Sequence, residues 1–293
     1  MNTIKPKTIQ IYLPKGDPRG LRVAELTTRI VRLIEVPRKL LDEFFAMPEA
    51  QQVGLYFLVG EESEDEQAQL YIGQTSDLIA RLKSHHRDKD FWTRAFVAVS
   101  LTNSLTQTHT LFLEWMAIDV AQKVGRYLLK NGNNGSKPFT PAPLTADCLE
   151  LHETTGILLA TLGQPVFEAL TASAATTEGI SNANEESELY YCKQGDIEAK
   201  GRYTAEGFVV LAQSQARVQI MPSAEDSSVA HARERLIADG VLKKEDEHRY
   251  LFAKDYLFKS PSRASSVILG RNANGWTNWK TASGQTLDAR ERS

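Results

Sequence analysis

Cysteine, long apolar runs and any marked excess of one charge are what this sequence has least of. Only Cys148 and Cys192 occur among 293 residues, and their placing suits neither a metal site nor a disulfide framework. A reducing cytoplasm is therefore the expected setting. No run approaches the length of a membrane span, and Met1 to Lys7 lacks the apolar centre of a signal peptide, so no membrane partner is expected. Net charge is only −3, whereas nucleic-acid binders are usually basic. The charge is unevenly spread: residues 1–50 carry 9 basic and 6 acidic groups, and residues 137–187 carry 1 and 7. Such a balance permits a nucleic-acid partner without pointing to one.

What is present suits two domains, each able to bury a core. Thr8 to Leu13 alternates like a strand, Pro14 to Pro18 supply a turn, and Leu21 to Val23 returns as a second strand. Arg29, Arg32, Arg38 and Lys39 are set among apolar residues, either as a solvated face of a small leading subdomain or as phosphate contacts. Leu40, Leu41, Phe44 and Phe45 predict a short amphipathic helix after Pro37.

Two apolar runs, Val53 to Val59 and Leu70 to Ile72, then flank the acidic stretch Glu61 to Glu66 and predict a β-hairpin. Both arms carry glycine and tyrosine, as Gly54-Leu55-Tyr56 and Tyr71-Ile72-Gly73. A helix is expected through His85, with Thr75 or Ser76 as its N-cap and Asp77 at its positive end. Arg81 and His85, four apart, share one stripe of it. That pair is either a plain exposed face or a grip for a phosphate with a proton-handling imidazole beside it. Arg94 to Val99 predicts a strand, and Leu105 to Val124 a long helix stopped by Gly125. Glu114 sits at the border of its apolar stripe, where a carboxylate must be exposed, paired or bound to a cation. Asn131-Gly132-Asn133-Asn134-Gly135 is a turn cluster.

Taken in order, Gly54-Leu55-Tyr56, Tyr71-Ile72-Gly73, Arg81 with His85, Glu114 and the asparagine cluster resemble the GIY-YIG endonuclease family over about residues 50–136. Leucine replaces the usual isoleucine of the first motif, and the acidic stretch is a longer loop than minimal members carry. The resemblance implies a small three-stranded antiparallel sheet flanked by helices, and metal-dependent hydrolysis of DNA. By the same resemblance Glu114 is the single ligand of Mg²⁺ (or Mn²⁺), and Tyr56 is general base or orienter of the attacking water. Arg81 grips the phosphate, Tyr71 and His85 support, and Gly73 lets the chain turn closely into the helix. Asn131 is preferred over Asn133 as the family's asparagine. A non-catalytic nucleic-acid-binding or regulatory protein keeping the fold is the alternative, and a homodimer would serve cleavage of both strands.

Beyond this region, Leu144 to Leu170 is helical in part, and residues 171–187 are small, polar and acidic, as in a linker. From Leu189 a second domain is expected, with strands at Tyr190 to Cys192 and Gly207 to Leu211 and helices at Val229 to Asp239 and after Ser260-Pro261-Ser262. The run from Ser260 through Gly270-Arg271 to Asn274-Gly275-Trp276 resembles an uncharacterised domain that often trails such nucleases. Arg263, Arg271, Trp276 and Trp279 form either a basic aromatic surface for nucleic acid or a core with its solvated rim. The fold class expected is α/β (α+β): an extension at 1–49, a nuclease domain at 50–136, a helix and linker at 137–187, and a separate C-terminal α+β domain at 188–285.

Overall fold

The computed structural model describes residues 6–60, 67–132, 135–170, 188–222 and 228–292. The acidic loop at 61–66, Asn133 and the linker at 171–187 lie outside the described residues. Two compact units result, one within residues 2–168 and one from residue 169 onward. The mixed α+β class with a separate C-terminal domain is thus the one observed.

The first unit holds a sheet of strands β1 (Ile9–Tyr12), β2 (Arg22–Leu26), β3 (Val31–Pro37), β4 (Gly54–Val59), β5 (Gln69–Thr75), β6 (Arg94–Ser100) and β7 (Leu128–Leu129). Interleaved with them are helices α1 (Leu41–Phe45), α2 (Leu78–Asp88) and α3 (Gln107–Val124), with α4 (Ala142–Thr161) following β7. The sheet order is β1-β2-β3-β6-β4-β5-β7. The small three-stranded sheet expected for residues 50–136 is therefore its middle (β6, β4 and β5), and the whole has seven strands. The N-terminal strands join it through β3, which pairs with the full length of β6. The reason lies in β3 itself: Val31 and Leu33 feed one core and Ile34 and Val36 the other, so it needs cover on both faces.

The same logic explains β4, where all six residues are buried. Leu55, Phe57 and Val59 meet α3 and α4, while Tyr56 and Leu58 meet α1 and α2. Helix α2 is capped by Asp77, whose Oδ1 accepts from the Ala80 N–H at 2.9 Å, rather than by Thr75 or Ser76. Thr75 instead accepts the Asp77 N–H and fixes the turn. The leading arginines are committed within the fold. Arg32 pairs with Glu25 and Glu49, Arg29 with Glu150, and Arg38 stacks on Trp92 while donating to the His86 carbonyl.

The second unit opens with β8 (Leu189–Gln194), β9 (Ile197–Thr204) and β10 (Gly207–Val210), followed by β11 (Gln215–Arg217) and α5 (Ser228–Ala238). Then come β12 (Leu242–Lys244), β13 (Arg249–Phe252), β14 (Tyr256–Phe258), α6 (Pro261–Leu269), α7 (Gly275–Asn278) and α8 (Leu287–Glu291). They form a four-stranded sheet β14-β10-β9-β8 and a three-stranded sheet β11-β13-β12. Ser260 caps α6, with Pro261 in its first turn and left-handed Gly270 at its end.

The Ser260-to-Trp276 run works here as packing. A Cβ on Gly275 would lie 2.1 Å from the Pro261 carbonyl atoms, so only glycine fits. Trp279 is fully buried against Phe208 and donates its indole N–H to the Pro261 carbonyl. Trp276 lies under Arg292, Arg263 holds Ser228, and Arg271 reaches Gln194. Of the two readings, core and rim describes these four residues better than a free basic aromatic surface.

Candidate active site

Strand β4 aims Tyr56 at α2, where register places it opposite Gly73 on β5. The phenol crosses directly over that glycine: a Cβ there would come within 2.3 Å of the Tyr56 hydroxyl. Gly73 is thus required by the ring laid across it, rather than by a turn. Tyr56 is fully buried, and its hydroxyl lies 2.8 Å from His85 Nε2 on α2. Tyr71 completes an aromatic triangle, 6.3 Å from Tyr56 and 5.1 Å from His85 between ring centres. Gly54 has a humbler part, admitting the Leu78 side chain against β4.

The charges of this group follow from its burial. Burial holds the Tyr56 phenol well above its usual pKa, Tyr71 and Glu114 push the same way, and Arg81 opposes them. Desolvation of the phenol thus outweighs the one exposed Arg81 guanidinium. Burial, with Lys89 and Arg81 adding to it, lowers His85 to about 4, so the imidazole is neutral at pH 7. With Nδ1 carrying its proton, Nε2 can accept from the Tyr56 hydroxyl.

Glu114 and Asn131 meet the outer edge of β5. Asn131 mimics a backbone amide, accepting from the Ile72 N–H at 3.0 Å and donating to the Ile72 carbonyl at 2.7 Å. It so continues the parallel β5–β7 pairing by one more step. Its amide is committed to Ile72, which makes it a residue that shapes the edge. Two residues on, the Gln74 N–H donates to Glu114 Oε1 at 3.2 Å. Burial raises the Glu114 pKa, while the Gln74 N–H and Arg81 oppose the rise. Among the described residues, no hydrogen bond reaches its second oxygen.

Residues 190–291 match the model of a domain of unknown function (DUF4357). The match lies wholly within the second unit and gives no support to the nuclease resemblance of residues 50–136. No curated protein and no solved structure matches the chain.

Tyr56, Tyr71, His85, Arg81 and Glu114 therefore share one electrostatic neighbourhood, whereas Asn131 is turned to the strand. Lys89 escaped the sequence reading. Its ammonium lies 4.4 Å from the Tyr71 ring centre and helps depress His85, and its place four residues after His85 was the available signal. Among the described residues, no three His, Cys, Asp or Glu side chains converge as a metal site. A half-buried carboxylate with one oxygen uncommitted suits a hard divalent cation whose other ligands are water and substrate. No helix among the described residues is long and apolar enough to cross a membrane.

Proposed function

We propose that the first unit is a divalent-cation-dependent DNA endonuclease that hydrolyses a phosphodiester bond. The observation that carries this reading is Arg81. It is exposed, acts electrostatically on Tyr56, His85 and Glu114, and its guanidinium has no hydrogen bond or ion pair among the described residues. A free guanidinium beside a carboxylate and a buried Tyr–His pair matches the needs of a phosphodiester, whose non-bridging oxygens it can hold bidentately.

Glu114 would hold Mg²⁺ (or Mn²⁺), which supplies charge neutralisation and a more acidic water. Tyr56, kept protonated by burial, and His85 Nε2, which its hydroxyl meets at 2.8 Å, would form the proton-handling pair of the site. The negative phosphate arriving at Arg81 raises the basicity of His85 at the moment it is needed. Tyr71 packs edge-on against the imidazole, and Lys89 lies over the Tyr71 ring. One site of this kind cuts one strand, and a homodimer would present two. The non-catalytic DNA-binding alternative draws on Glu114 being the lone carboxylate of the group.

The test is relaxation of supercoiled plasmid in Mg²⁺ by wild type, Glu114→Ala and Arg81→Ala. The proposal expects nicking by wild type alone. Equal residual nicking by all three refutes it, and salt-sensitive binding without cleavage selects the alternative.

A further inference from the structure

The second unit carries a cleft of about 580 Å³ beside the edge strand β8, lined by Tyr191, Lys193, Thr277, Asn278, Lys280 and Thr281 among others. Its chemistry follows from strand alternation. Tyr190 and Cys192 point into the core, so Tyr191 and Lys193 point outward. Across β9, Lys200 stands opposite Tyr191. On the free edge, Tyr191 and Lys280 exchange both backbone hydrogen bonds, at 2.7 and 3.0 Å, so their side chains also share a face. One half-buried aromatic ring is thus flanked by a lysine on each side, with Lys193 two residues along.

Among the described residues, no hydrogen bond or ion pair engages the Tyr191 hydroxyl, the Lys200 ammonium or the Lys280 ammonium. Lys193 has an exposed pair with Glu198 at 3.1 Å, worth little in water, and its ammonium lies 5.4 Å from the centre of the Tyr191 ring. Asn278 donates its amide N–H to the Asn274 carbonyl, which leaves its oxygen to accept from a base edge.

We infer that this cleft binds single-stranded nucleic acid, one base stacking on Tyr191 and the adjoining phosphates meeting Lys280, Lys200 and Lys193. A ring framed by cations provides both recurring elements of such a strand, the flat base and the regularly spaced negative charge. A duplex base is already stacked and cannot enter. An acidic peptide would meet the lysines and leave the ring unused. The inference is independent of the proposed cleavage.

The test is fluorescence anisotropy of the whole chain with a labelled oligothymidylate of about 12 nucleotides, in EDTA so that cutting plays no part. Expected is binding whose log–log salt slope is about −2, from three lysines at ~0.7 each. Tyr191→Ala weakens it about tenfold, while Tyr191→Phe, which keeps the ring and guards against misfolding, leaves it unchanged. Lys280→Ala lowers the slope by about 0.7. No binding at low salt overturns the inference. So does binding indifferent to Tyr191→Ala, tighter binding of the matching duplex, or equal binding of polyglutamate.

Discussion

Gly73→Ala is the sharpest perturbation of the candidate site, because the added methyl has nowhere to go. The new Cβ would lie 2.3 Å from the Tyr56 hydroxyl, 2.4 Å from Cζ and 2.9 Å from Cε2. The ring cannot swing freely, being fully buried between β4 and α2 and tied to His85 at 2.8 Å. Overpacking of this kind costs roughly 1–3 kcal/mol, and parting the buried hydroxyl from its partner adds about 1–3 kcal/mol. The expected loss is thus about 2–6 kcal/mol in the unit that holds the sheet. Native-state hydrogen exchange of the β4 and β5 amides measures this unit without interference from the other. Gly132→Ala, whose Cβ would meet nothing within 4 Å, should stay within about 0.5 kcal/mol. In a Tyr56→Leu background the Gly73→Ala cost should shrink to a minor part of its size, as for residues in direct contact. A cost below about 0.5 kcal/mol, or the same cost in both backgrounds, refutes the crossing of ring and glycine.

Asn131→Ala should free the Ile72 amide on the edge of β5, costing about 1–3 kcal/mol and speeding exchange at that amide. His85 and His152 are both lowered by burial to about 4. Between that value and the ordinary 6.5 the unfolded chain binds more protons, so stability is retained above pH 6.5 and falls as pH drops toward 4. His85→Gln should flatten that fall, as read from urea midpoints between pH 7 and pH 4, with no change in slope near pH 8. Gly275→Ala should disrupt the second unit by more than about 3 kcal/mol, since its Cβ would strike the Pro261 backbone at 2.1 Å. Circular dichroism melting is the check.

The candidate site was more legible in the sequence than the sheet around it. Glycine and tyrosine on both hairpin arms, and the four-residue step from Arg81 to His85, are local patterns that survive folding intact. The pairing of β3 with β6 is not local. It joins residues about sixty apart in sequence, and nothing in either strand names its partner, so the N-terminal strands were set apart from the sheet they complete. Asn131 stood out for a related reason. An asparagine in a turn cluster serves backbone or chemistry equally well until Ile72 is seen to take both ends of its amide. Trp279 showed the same ambiguity, settled by Phe208 stacking on it from a distant strand. Charge states were least legible, since the rise of Tyr56 and the fall of His85 come first from burial, which only the packed structure supplies.

The central claim is hydrolysis at the Arg81, Glu114 and Tyr56–His85 group. Its most direct measurement is mass spectrometry of DNA cleaved in ¹⁸O-enriched water with Mg²⁺. The account predicts phosphate termini carrying one solvent oxygen for wild type and no such product for Glu114→Ala or Arg81→Ala. Intact DNA with wild type, or labelled termini in equal yield from all three proteins, contradicts it.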